Sequence, residues 1–187
     1  LMFGRDEDTW SVRAGTALLS DEDTALGGTL QERFGARDQT YMTAYSLETA
    51  WYPGQRWTVS SGVEIASVDL PGVDVEDVWT SRWSLGASHP VGEGRMHFII
   101  AQPRRAETGY IRLNAPVGVD MDSQLIREFI NADLTPSGRQ IDFETRYTFN
   151  LTENWSGETA AVMSSSPNHI EGSEGQSALW LRLVSEW

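Results

Sequence analysis

Arg139 to Leu151 reads RQIDFETRYTFNL. Its odd positions carry Ile141, Phe143, Thr145, Tyr147, Phe149 and Leu151, and its even positions carry Asp142, Glu144, Arg146, Thr148 and Asn150. Successive side chains of an extended chain point to opposite sides, so the segment is expected to be a strand with one apolar and one charged face. Two surroundings suit such a strand. In a soluble sandwich the apolar face packs on a core and the charged face meets water. In an outer-membrane barrel the apolar face meets lipid and the charged face lines the lumen.

The same period of two recurs along the 187 residues, near 9–19, 39–52, 56–68, 77–89, 94–103, 107–115, 125–134, 155–165 and 177–187. The polar faces of these segments carry Arg13, Glu48, Glu64, Arg82, Arg112, Glu144, Arg146, Glu158 and Arg182, while the apolar faces are nearly free of charge. An Arg facing lipid at mid-depth costs roughly 2–4 kcal/mol, so a barrel wall must exclude it. Ile141, Phe143, Tyr147 and Phe149 are therefore read as lipid-facing, and the nine charges as lumen-facing. The connections alternate too. PGQ (53–55), VGEG (91–94) and TEN (152–154) are short, whereas 20–38, 69–76 and 166–176 are long and polar. Two breaks in that rule are TPSG (135–138), short on the long side, and VGVDMDSQ (117–124), long on the short side. The expected fold is all-β: an antiparallel up-and-down barrel of the outer-membrane type with about ten strands, eight and twelve being the neighbouring even counts.

Composition narrows the partners. A net charge of −13 leaves nothing to neutralise a nucleic-acid backbone and disfavours anionic lipid headgroups. All 14 cations are arginine, and there is no cysteine, hence no disulfide, thiolate metal site or cysteine nucleophile. No run approaches the roughly 18 to 20 apolar residues of a spanning helix. The eight tryptophans, most beside turns, suit either a core or an interfacial girdle. The chain opens at Leu1 without a basic-then-apolar leader, which reads as the C-terminal piece of something larger. On that reading LMFGRDED (1–8) is the remnant of a linker and 9–187 the barrel domain.

The last ten residues, ALWLRLVSEW, place Leu179, Leu181, Leu183 and Trp187 on one face and end on an aromatic. Barrel-assembly machinery recognises terminal strands of this form. A wider pattern joins it. Gln102 and Pro103 precede a short basic stretch and Gly109; Pro136, Ser137, Gly138 and Arg139 are followed by Asp142; Pro167 is followed by His169. Over roughly 85–187, and more loosely from Gly27–Gly28 and Phe34–Gly35 onward, this resembles the C-terminal region of exported subtilisin-like serine peptidases of alphaproteobacteria. The resemblance implies an autotransporter-like β-domain in the bacterial outer membrane. Its partners would be outer-membrane lipid, the assembly machinery and an N-terminal passenger or protease.

No other chemistry competes strongly. His89, His97 and His169 lack metal-ligand spacing, and the acidic groups 21–23, 74–77 and 120–122 lack the glycine and spacing of a calcium loop. His169 and Glu171 could share a loop-side rim, but no nucleophile and base pair can be assigned. The chain is thus expected to be non-catalytic and to need no cofactor. The alternative is a soluble barrel or sandwich that binds or chaperones a secreted enzyme.

Overall fold

The structure, a computed structural model, describes residues 1–21, 24–25, 28–29, 40–54, 56–69, 74–122 and 124–185. Trp187, the terminal aromatic of the assembly pattern, lies outside them. The strands are β1 (Met2–Glu7), β2 (Trp10–Asp21), β3 (Thr24–Ala25), β4 (Gly28–Thr29), β5 (Thr40–Trp51), β6 (Thr58–Asp69), β7 (Val75–Val91), β8 (Gly94–Val119), β9 (Leu125–Asp133), β10 (Ile141–Thr152), β11 (Trp155–Ser165) and β12 (Gln176–Ser185). A short 3₁₀ turn covers Pro167–His169.

Ten strands form one sheet, in the order β1-β2-β5-β6-β7-β8-β10-β11-β12, with β9 added beside β8. Every pairing is antiparallel. β3 and β4 pair separately. Among the described residues the sheet is not closed: its path begins at β1 and ends at β12, and β9 pairs β8 alone.

The expected strand count is reached differently from the way the sequence suggests. The segments 94–103 and 107–115 are one strand, β8, of 26 residues. Three irregularities on the β7 side, between Glu76/Trp79, Trp79/Thr80 and Ser81/Trp83, carry it through. Extra residues in a ladder flip which face the following residues occupy, so the alternation changes phase and mimics a new strand. β10 pairs the lower part of β8 (Arg95–Ala101), and β9 pairs the upper part (Tyr110–Val119). TPSG is therefore not a hairpin between neighbours. It interrupts a return path that runs twice along the same partner. VGVDMDSQ lies at the far tip of β8 and β9, so both breaks in the short-and-long rule disappear.

Within the segment read as a linker, Met2–Glu7 is a strand that pairs with β2 from Met2↔Gly15 to Glu7↔Trp10. Its side chains show no alternation of apolarity; backbone bonds and an exposed Asp6–Arg13 ion pair at 3.5 Å hold it there.

A single sheet has no second layer, so it can bury side chains on one face only by curling round that face. The buried residues include Ala44, Ala66, Thr80 and Ala160, and Ala66 and Thr80 are wholly enclosed. On β5 to β7 they share a face with Glu48, Glu64 and Arg82, since register rows such as Ser46↔Glu64 and Glu64↔Arg82 cross it. The opposite face is apolar and exposed. Tyr45, Leu47, Val63, Ile65, Leu85, Phe98 and Phe143 all present large side chains outward. Leu179, Leu181 and Leu183 do so too, at 79%, 65% and 51%. Ile141, Tyr147 and Phe149 lie on this face half-buried, the last two stacked with centroids 5.5 Å apart.

Candidate functional site: a charged inner face and a loop clamp

Along the inner face the charges gather in two groups. Glu64, only 8% exposed, meets Arg82 at 2.6 Å and also bonds Arg104, whose other nitrogen donates to Thr80 Oγ1 at 3.0 Å. A carboxylate taken out of water is tolerable only when such partners satisfy its lone pairs. In the second group Arg146 pairs Glu144 at 2.6 Å and Glu158 at 3.8 Å, and lies 5.8 Å from the Trp180 ring. Arg182 stands opposite Glu158 in register. Open hollows of about 440 Å³ (beside Glu93, Arg95, Glu158 and Arg182) and 380 Å³ (beside Glu48, Glu64 and Arg82) follow this face.

Two of the nine expected charges behave differently. Arg13 stands opposite Glu48 but forms its ion pair with Asp6 of β1, at 3.5 Å. Arg112 is far from either group; it pairs Asp74 at 3.8 Å and covers the Phe129 ring at 4.7 Å on the β8–β9 extension. Arg104, the third member of the Glu64 group, escaped the sequence reading because it sits in the bulged stretch where alternation fails.

The residues that carry the family resemblance converge although they lie up to 67 positions apart, Gln102 to His169. Gln102, 1% exposed, follows Ile100 on the apolar side of β8. Its Oε1 accepts from Trp83 Nε1 at 3.1 Å and from Arg139, and its Nε2 donates to Ser81 Oγ at 3.2 Å. Glu107 accepts from Ser81 Oγ at 2.6 Å, Arg105 at 2.6 Å and Arg139 at 2.9 Å. Arg105 then reaches the carbonyls of Gly138 and Pro136, at 3.0 and 2.9 Å. The loop 134–140 is thereby clamped onto β8.

The 166–173 loop closes the clamp from the other side. Gly138 N donates to the His169 carbonyl at 2.7 Å, Glu171 N to Ser137 Oγ at 3.0 Å, and Asn168 N to Gln140 Oε1 at 2.7 Å. Gln140 Nε2 in turn donates to Asp142 at 2.8 Å. A Cβ at position 138 would lie 2.6 Å from Glu171 N, so only glycine admits this approach. Ser166, Asn168 and His169 all hold positive φ, at 46, 59 and 58°. Backbone in that region costs of order 1 kcal/mol or more per residue and persists only where surrounding contacts fix it.

His169 Nδ1 accepts the Gln140 backbone N–H at 2.9 Å, so its Nε2 carries the proton and donates to the Arg104 carbonyl at 3.1 Å. Burial, with help from the Arg105 and Arg139 cations, holds its pKa below the ordinary 6.5, although the Arg104 carbonyl and Asp142 pull the other way. Both ring nitrogens are engaged by backbone groups, and Glu171 meets the clamp through its own backbone N–H. Sequence alone allowed His169 and Glu171 a place at the loop-side rim without assigning a pair; the geometry makes His169 a brace between loop and strand. Among the described residues no group of three or more His, Asp or Glu is placed to hold a metal ion.

Four tryptophans, Trp10, Trp51, Trp57 and Trp155, mark the short-turn end of the sheet, each exposed. Trp10 and Trp51 are direct register partners, and Trp57 stacks on His89 at 4.5 Å. Comparison with family models, with curated proteins and with solved structures finds no match in any of the three.

Proposed function

We propose that this chain is the outer-membrane β-barrel anchor or translocator of an exported subtilisin-like peptidase, and that it performs no hydrolysis itself. The observation that carries the reading is the inversion of the two faces. Large apolar side chains point outward from most of the sheet, whereas Glu64 with Arg82 and Arg104, and Arg146 with Glu144 and Glu158, pair on the side round which it curls. In water that arrangement leaves large apolar side chains exposed on neighbouring strands, a feature that marks an interaction or membrane surface; in lipid it is the required one. The tryptophans at the short-turn end suit the headgroup boundary. The passenger class rests on the resemblance alone. Its motif residues meeting in one clamp supports their acting together.

The partners on this reading are bacterial outer-membrane lipid, the barrel-assembly machinery acting on the terminal strand, and an N-terminal protease; nucleic acid is not among them. The second reading, a soluble binding or chaperone module, draws on the two unpaired sheet edges. Fractionation separates the two. The anchor is extracted from the envelope only by detergent, and purified protein is inert toward peptides and serine-reactive probes. Release into alkaline buffer would leave the soluble module, and probe labelling would restore an enzyme.

A further inference from the structure

Strand β1 conflicts with a membrane wall in two independent ways. The first is direction. The path β1-β2-β5-β6-β7-β8-β10-β11-β12 is antiparallel at every step, so β1 and β12 run the same way and β2 runs against β12. An all-antiparallel closure therefore joins β12 to β2, giving the eight strands β2, β5, β6, β7, β8, β10, β11 and β12. β1 occupies the edge that this closure needs. It covers that edge incompletely, because its six residues reach only Trp10–Gly15 of a twelve-residue strand.

The second conflict is charge. Arg5 stands opposite Val12 and Glu7 opposite Trp10, on the apolar face, where they pair with each other at 2.6 Å in the open. The central parts of the apolar faces of β2, β5, β6, β10, β11 and β12 carry no Asp, Glu or Arg. An outward Arg in the wall would cost roughly 2–4 kcal/mol; the outward Arg105 of β8 is covered by Glu107 and by the carbonyls of Pro136 and Gly138, whereas Arg5 has no such cover and is 74% exposed.

From these observations, and resting on the anchor reading, we infer that Met2–Glu7 is a displaceable strand: it holds the β2 edge in the open sheet and leaves when β12 closes an eight-stranded barrel. While it is seated, the edge is shielded from pairing with foreign strands. Once released, the charges of Arg5 to Asp8 leave the lipid-facing wall at the end where β2 begins.

A covalent lock tests this. Leu1 and Thr16 exchange both backbone bonds, at 2.7 and 2.8 Å, so the alternation of the ladder makes Gly4 and Arg13 a non-bonded pair. Cα atoms of such pairs stand about 4.5 Å apart, within disulfide range. The chain has no cysteine of its own, so Gly4→Cys with Arg13→Cys gives a single defined bridge. The full-length double variant is refolded into phosphatidylcholine vesicles, oxidised or reduced. Closure is read as compact migration in unheated detergent gels and as protease protection. The oxidised protein is expected to close at least tenfold less than the reduced, with recovery on adding reductant. Equal closure with the bridge intact overturns the displaceable strand and leaves the anchor standing. Failure of the reduced and wild-type proteins alike to insert overturns the anchor reading, and this inference with it.

Discussion

A second proton on His169 would face the Gln140 N–H only 2.9 Å away. The ring is held neutral by burial first, then by Arg105 and Arg139, and its folded pKa lies below the ordinary 6.5. A histidine with a lowered folded pKa binds more protons when unfolded, so its contribution is complete above about pH 6.5 and is lost as pH falls through the folded value. The clamp should therefore loosen on acidification. Amide exchange at Gly138 and Glu171, corrected for intrinsic rates, is expected to show lower protection at about pH 5 than at about pH 7.5. In His169→Gln that difference disappears; its survival would assign the pH response to another group. On the inner face Glu64 serves two arginines, whereas Arg82 is more than half exposed. Glu64→Gln should lower stability by roughly 2 kcal/mol, because Arg104 loses its counter-charge where water is scarce. Arg82→Ala should cost about 1 kcal/mol or less, since solvent screens it. Denaturant melts of the two variants compare them directly.

β10 shows how much of an element its residues disclose. The alternation from Ile141 to Leu151 matches the exposed and enclosed faces found, with Phe143 outward and Glu144 and Arg146 paired inward. Period two is dictated by the pleat, so it is legible wherever the ladder is regular. It fails at β8, where extra residues shift the outward positions from Phe98 and Ile100 to Arg105 and Glu107, and one strand reads as two. It fails again at β1, whose backbone pairing leaves no mark in side-chain polarity. The clamp was legible only as motif residues. That Gln102, Arg139 and His169 meet depends on the broken return along β8, which no local pattern encodes. The two environments for β10 predict different outcomes. With Phe143 49% exposed, Phe143→Arg in a soluble module would change stability by no more than about 0.5 kcal/mol. In a lipid-facing wall it costs roughly 2–4 kcal/mol and depresses insertion, whereas Thr148→Arg on the inner face is mild. Equal inserted yields for the two variants, measured by vesicle flotation, would remove the lipid-facing assignment.

The molecule as a whole divides into a wall and an extension. Up to about Ala101, β8 has partners on both sides, β7 and β10; above Tyr110 it is joined by β9, and among the described residues β9 pairs with nothing else. The extension is apolar without alternation: Val117, Val119, Leu125, Ile126, Phe129 and Ile130 are all exposed, and Met121 at its tip entirely so. A strand that belongs to a wall has unlike faces; this hairpin does not, so the wall should not need it. Leu113 and Ile130 are direct register partners. Replacing Asn114–Phe129 by Asn-Gly joins them through a two-residue turn that suits the twist of an antiparallel pair. The Leu134 to Gly109 bond and the clamp on Arg105 and Arg139 lie below the cut and remain. The shortened chain is expected to insert into vesicles and to resist detergent as the full chain does, within about 1 kcal/mol in stability. Loss of insertion would mean that the hairpin supports the wall, and that the eight-strand boundary is drawn in the wrong place.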